Sequence, residues 1–151
     1  MKLFVSSFVL LVAFNCTLSA QDNDAVEFDK DAIKELVEQF YVDVVFGSKD
    51  LEELKQGFHN EFNMYVLHNN QIDKRTLQQW VARLEQVRST NTQIKKPRYT
   101  HQVKLVDVTG STGVIKIEVY ADGKIKYTDY LSLYKFKDGW KIMTKLFSQH
   151  D

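Results

Sequence analysis

From Pro97, the only proline in the chain, to the C-terminal residues, apolar and polar side chains alternate in four stretches divided by turn residues. Residues 98–108, 112–120, 124–136 and 140–147 read as strands, and Gly110, Asp122-Gly123 and Asp138-Gly139 mark the turns between them. Turns this short can only join antiparallel neighbours, so the segment predicts a four-stranded meander. A sheet of this kind must bury at least one face against something else.

The first half of the chain supplies the cover. Apolar residues at 33, 36, 37, 40, 41 and 44 follow the spacing of one helix face. Phe28 and Ile33 are placed to staple an Asp29 N-cap, and Gly47 to end the helix in a left-handed conformation. Ser48 is expected to cap a short helix carrying Leu51 and Leu54, ending near Gly57. A third helix is expected after Asp73, carrying Leu77, Trp80, Val81, Leu84 and Val87. Between the second and third helices, residues 62–68 read as a short strand, and Asn69-Asn70 tolerates the positive φ of a tight hairpin turn. The order predicts an α+β domain with three helices packed on a curved antiparallel sheet.

Successive strand residues face opposite ways, so parity assigns the faces. On the third long strand Ile125, Tyr127, Asp129, Leu131 and Leu133 share one face, opposite Tyr130 and Tyr134. On the last, Trp140, Ile142 and Leu146 oppose Met143 and Phe147. Both faces are partly apolar, and one set of helices covers only one of them. A homodimer through the outer face is the expected solution.

The N-terminal residues read as an export signal. Lys2 precedes an apolar run from Leu3 to Phe14 and a small-residue site, Leu18-Ser19-Ala20, the order of a cleavable signal peptide. The run is shorter than the roughly twenty residues that span a bilayer. Residues 1–20 are thus expected to be removed, residues 21–28 to be a flexible lead and residues 29–151 to form one domain, periplasmic or secreted. Cys16, the only cysteine, lacks the small neighbour that lipid attachment wants and is expected to leave with the signal. Disulfides and thiolate chemistry are then excluded. Lys2 is the only charge removed, so 19 basic residues face 20 acidic ones. No overall field points to nucleic acid or anionic lipid.

Within the meander, Tyr127-Thr128-Asp129-Tyr130-Leu131-Ser132-Leu133 is followed by Asp138-Gly139-Trp140-Lys141-Ile142 and Lys145-Leu146-Phe147. With the helix-then-meander order, these segments resemble the nuclear transport factor 2-like superfamily, and more narrowly its exported lumazine-binding-like (SnoaL-like) branch. The resemblance covers nearly all of residues 21–151. It implies a cone-shaped fold with a pocket between helices and sheet, and a lumazine- or flavin-like ligand. The superfamily holds isomerases, dehydratases and cyclases as well as members that only bind or dimerise, so fold does not choose among them.

Asp129 is the most informative residue, because parity puts a carboxylate among Ile125, Leu131 and Leu133. Buried there, it needs a partner or a raised pKa. His101 is the candidate partner, since it shares parity with Tyr99, Val103 and Leu105, unless a bulge in that strand turns it outward. Together they form a candidate general-base pair; alternatively each is a hydrogen-bonded structural group. Tyr41 and Trp80 lie on apolar helix faces and Tyr127 on the face of Asp129, as candidate pocket walls or as plain core. The histidine spacing offers no metal pair, and neither phosphate-binding nor nucleophile motifs occur, so no metal or cofactor is expected. The readings that remain are a binding domain for an apolar or flat aromatic small molecule, a cofactor-independent isomerase, dehydratase or cyclase using Asp129 with His101 or Tyr127, and a dimeric protein-interaction module.

Overall fold

The computed structural model describes residues 15–90 and 97–151, with side chains from residue 23. Most of the expected signal peptide, residues 1–14, lies outside the described residues. A long helix α1 (Asn15–Val37) passes through a π-helical turn (Glu38–Val42) into α2 (Asp43–Val45). A 3-10 turn (Leu51–Glu53) leads into α3 (Leu54–Gly57). Then come β1 (Phe58–His68), β2 (Gln71–Thr76), α4 (Leu77–Thr90) and four long strands, β3 (Tyr99–Thr109), β4 (Thr112–Ala121), β5 (Lys124–Phe136) and β6 (Gly139–Gln149). Among the described residues no helix is long and apolar enough to cross a membrane.

The meander is present as read, and it is extended at one side. The six strands run in the order β2-β1-β6-β5-β4-β3, with β1 parallel to β6 and every other pair antiparallel. Asn69 and Asn70 both take positive φ and close a two-residue hairpin, which folds residues 71–76 back onto β1 as a strand. The helix expected after Asp73 therefore starts only at Leu77.

The helix ends also differ from expectation. Asp50, not Ser48, caps the short helical segment by accepting from the Glu52 N–H at 3.0 Å. Gly47 is absent from the positive-φ glycines. The chain still needs glycine there, because a Cβ would lie 2.2 Å from the Asp43 carbonyl oxygen. Asp29 is not an N-cap: the helix runs through it, and through residues 21–28. Its carboxylate instead accepts the Trp140 indole N–H at 3.0 Å and the Lys135 ammonium at 2.6 Å, and so binds α1 to the β5–β6 hairpin. Phe28, relieved of any staple role, is exposed.

The core lies between the helices and the inner face of the sheet. Ile33, Val37, Tyr41 and Val44 from the first helical stretch and Leu77, Trp80 and Val81 from α4 cover Phe58, Phe62, Ile115, Ile117, Val119, Leu131, Leu133 and Ile142. The helix comes so close to β4 that a Cβ on Gly113 would meet Ile33 at 2.7 Å.

Three bulges correct the parity assignment. Lys104 is an extra residue between the pairs at Val103 and Leu105, which turns Leu105 outward and leaves His101 opposite inward Val119. Lys126 is extra between Ile125 and Tyr127, so Ile125 pairs with outward Tyr120. Met143 is extra between Ile142 and Thr144, so Leu146 becomes exposed while Lys145 and Phe147 turn inward. One inserted residue reverses every side chain beyond it.

The Asp29 contact makes a measurable prediction. Asp29→Ala leaves the Trp140 indole without its acceptor and should cost about 1–3 kcal/mol in urea unfolding. Burial raises the Asp29 pKa, but bonds from Lys135 and Trp140 outweigh it and hold the carboxyl below its ordinary 3.8. The contribution of the carboxylate is therefore complete above that value and lost as pH falls through the lower folded value. The stability difference between wild type and Asp29→Asn should shrink over that acidic range.

Candidate functional site

The centre of the inner face holds a closed polar group in apolar surroundings. Asp129, in mid β5, is fully buried and accepts from the Tyr41 hydroxyl at 2.5 Å through one oxygen and from Lys145 through the other. Lys145 also donates to the Tyr41 oxygen at 2.5 Å, so each of the three side chains contacts the other two. The Lys145 ammonium lies 4.8 Å from the centre of the Tyr41 ring and 4.9 Å from that of Phe147. No described buried side-chain nitrogen or oxygen lacks a partner.

Each member is positioned by a local feature. The π-helical turn adds a residue per turn and carries Tyr41 toward the sheet, with the Asp43 N–H bonding the Glu38 carbonyl. The Met143 bulge brings Lys145 inward, diagonally across from Asp129, whose direct partner on β6 is Phe147. Burial, with Asp129 beside it, pushes the Tyr41 phenol well above its ordinary range, so it stays protonated as a donor. Burial pulls the Lys145 ammonium down, while Asp129 opposes that shift.

Toward one end of the sheet the core gives way to half-buried rings. Phe46 lies 5.1 Å from Tyr99 and 5.9 Å from Tyr127, and Tyr127 lies 6.2 Å from Phe147, centre to centre. Phe46 also meets Tyr41 at 5.8 Å, so these rings lie directly against the buried polar group. The Tyr127 phenol is raised by burial, then by Tyr99 and Asp129.

Of the residues singled out from sequence, Asp129, Tyr41, Trp80 and Tyr127 come together around this region. Trp80 is 6.0 Å from Tyr41 but packs among Phe58 and Phe62, deep in the core. His101 is half-buried on the inner face, level with Tyr127 across β4, and both Asp129 oxygens are taken by other groups. Lys145 was missed because unbroken parity points it outward. The signal for it was the need of a buried carboxylate for a cation.

The family described as "Putative lumazine-binding" matches residues 28–148. The chain belongs to this family. Its fold is NTF2-like. An NTF2-like protein of unknown function from Shewanella baltica superposes with a TM-score of 0.66 at 16% identity, over 83% of this chain and 96% of that one. Others, from Silicibacter pomeroyi and Methylobacillus flagellatus, give TM-scores of 0.60 and 0.62 at 17% and 18% identity. They cover 87% and 82% of this chain, and 98% and 94% of their own. None of the curated proteins matches the sequence.

The polar group should behave as a unit. Asp129→Leu or Lys145→Met alone strands a buried partner and should cost about 3–5 kcal/mol, whereas the double substitution removes both charges and should cost less than the sum. Urea unfolding of the four proteins of this cycle measures the coupling. Tyr41→Phe, which loses the two bonds but keeps the ring, should be milder than either single charge removal.

Proposed function

We propose that this protein is an exported binding domain that holds a flat aromatic small molecule at the open end of its cone, against Phe46, Tyr99, Tyr127 and Phe147. The observation that carries this reading is the set of half-buried rings in mutual contact beside the buried polar group. Rings left partly in water at the mouth of an otherwise packed interior offer stacking area, and the phenols of Tyr99 and Tyr127 offer polar contacts that fix orientation. The family description supports a pteridine-like ligand, and the N-terminal charge, apolar run and small-residue site support export.

A cofactor-independent acid/base enzyme would use Asp129 with His101 or Tyr127. Binding without turnover is favoured because both Asp129 oxygens already accept hydrogen bonds and the group is fully buried. A general base must reach the proton it removes.

We also propose a homodimer through the outer face of the sheet. Leu105, Val114, Tyr130 and Leu146 are exposed there around a concavity of about 310 Å³, and Tyr134 is exposed on the same face. A contiguous apolar patch of this kind marks an interaction surface.

Titration with lumazine, followed by its fluorescence, should show saturable binding. Tyr127→Ala should weaken it by about tenfold or more through lost stacking, and Tyr134→Ala on the outer face should not. Absence of saturable binding by folded wild-type protein would count against a pteridine-like ligand. Light scattering should give twice the chain mass, and Tyr130→Glu with Leu146→Glu should return it to the mass of one chain.

A further inference from the structure

We propose that His101, together with the phenols of Tyr99 and Tyr127, selects the ligand by its edge, favouring a planar ring that carries carbonyl acceptors over one that carries amino donors. This selection rests on the binding reading above, because it acts in the same opening. The helical cover of the sheet thins out on β3. On the inner face of β4 and β5, Ile117, Val119 and Leu131 are buried. Along β3, Val108 is buried, Val106 is half-buried, and Val103, which pairs directly with inward Ile117, is 39% exposed. His101 and Tyr99 come next on that face, both half-buried. The inner face is therefore open to solvent along the first half of β3.

The polar groups beside this opening have no partner in the protein. Among the described residues no side-chain hydrogen bond engages Tyr99, His101 or Tyr127, although their strand neighbours Tyr120, Thr128 and Asp129 are all bonded. No described buried side-chain nitrogen or oxygen lacks a partner, so the polar ends of these three face open space and not the packed interior. His101 and Tyr127 share one row of the sheet with Val119 between them, two strand spacings or about 9.5 Å apart. Tyr99 and Tyr127 both meet Phe46. Both phenols can donate, and burial with its neighbours keeps that of Tyr127 protonated. An imidazole carries at least one N–H in either charge state. Asp129 has both oxygens taken, and Phe46, Val103 and Phe147 add no acceptor. The complement of this set is a flat ring with oxygen acceptors at its edge. An amino group in their place would be met only by the weaker phenol and imidazole lone pairs, leaving donors unbonded against the ring.

Isothermal titration calorimetry of the full-length protein tests this with two probes of one shape. Quinazoline-2,4-dione and 2,4-diaminoquinazoline share a bicyclic frame and exchange two carbonyl oxygens for two amino groups. Wild type should bind the dione about tenfold more tightly than the diamine, or better. His101→Ala should reduce that preference to about threefold or less, by weakening the dione more than the diamine. His101→Gln, which keeps an N–H, should restore part of it. Tyr99→Phe combined with Tyr127→Phe keeps both rings and should lower the preference in the same way. Equal affinity of folded wild-type protein for the two probes overturns the selection and leaves stacking in place, and that comparison needs no variant. A preference that survives these substitutions undiminished overturns the roles given to the three residues. Saturable binding of neither probe ends the binding reading together with this one.

Discussion

An ammonium and a carboxylate are held out of water in the middle of the inner sheet face, and the rest of the structure is arranged around that demand. Removing such ions from water costs several kcal/mol each, which only close, well-directed partners offset. Asp129 therefore constrains three elements together: its own strand, the neighbouring strand that carries Lys145, and the helical stretch that carries Tyr41. Tyr41 lies 88 residues from Asp129 in sequence and Lys145 lies 104 from Tyr41, so the group closes only when sheet register and helix position are both correct. A slip of one residue in β5 or β6 would strand an ion on the wrong face. The interaction thus selects among packings more than it adds stability.

Regular structure alone would not assemble this group. A straight α-helix through residues 38–42 would rotate Tyr41 away, and an unbroken β6 would point Lys145 into solvent. The π-turn and the Met143 bulge each insert one residue, and both insertions act on members of the same polar group. The bulges at Lys104 and Lys126 turn Leu105 and Ile125 onto the outer face. Local irregularity here both builds the interior polar centre and greases the exterior.

This division explains what the sequence disclosed. Turn residues and alternation are local signals, so the four-stranded meander, the Asn69-Asn70 hairpin and the inward position of Asp129 could be read directly. Parity carries no information about where a residue is inserted, so it failed beyond each bulge. It sent Leu146 inward in place of Lys145, and it left His101 as the apparent partner of Asp129. The Asp29 cap failed for a related reason. A carboxylate ahead of an apolar helix pattern looks the same whether it bonds its own backbone or a tryptophan 111 residues away. Long-range partners of polar groups are written in three dimensions, and only the requirement that a partner exist is visible in one.

The two ends of the cone are built differently. At the end marked by Trp140 and Gly113 the helix lies against the sheet with no room for a Cβ, and the Asp29 carboxylate locks the indole in place. That end is closed by both packing and hydrogen bonding. At the other end β3, β5 and β6 carry Tyr99, Tyr127 and Phe147, and Phe46 follows the last helical turn, all of them only partly covered. Lys145, Asp129 and Tyr41 sit between the closed end and the open one. One layer in from the half-covered rings lies Lys145, the only buried lysine among the described residues. Partly covered rings and a fully paired polar group thus occupy two successive layers of the same interior.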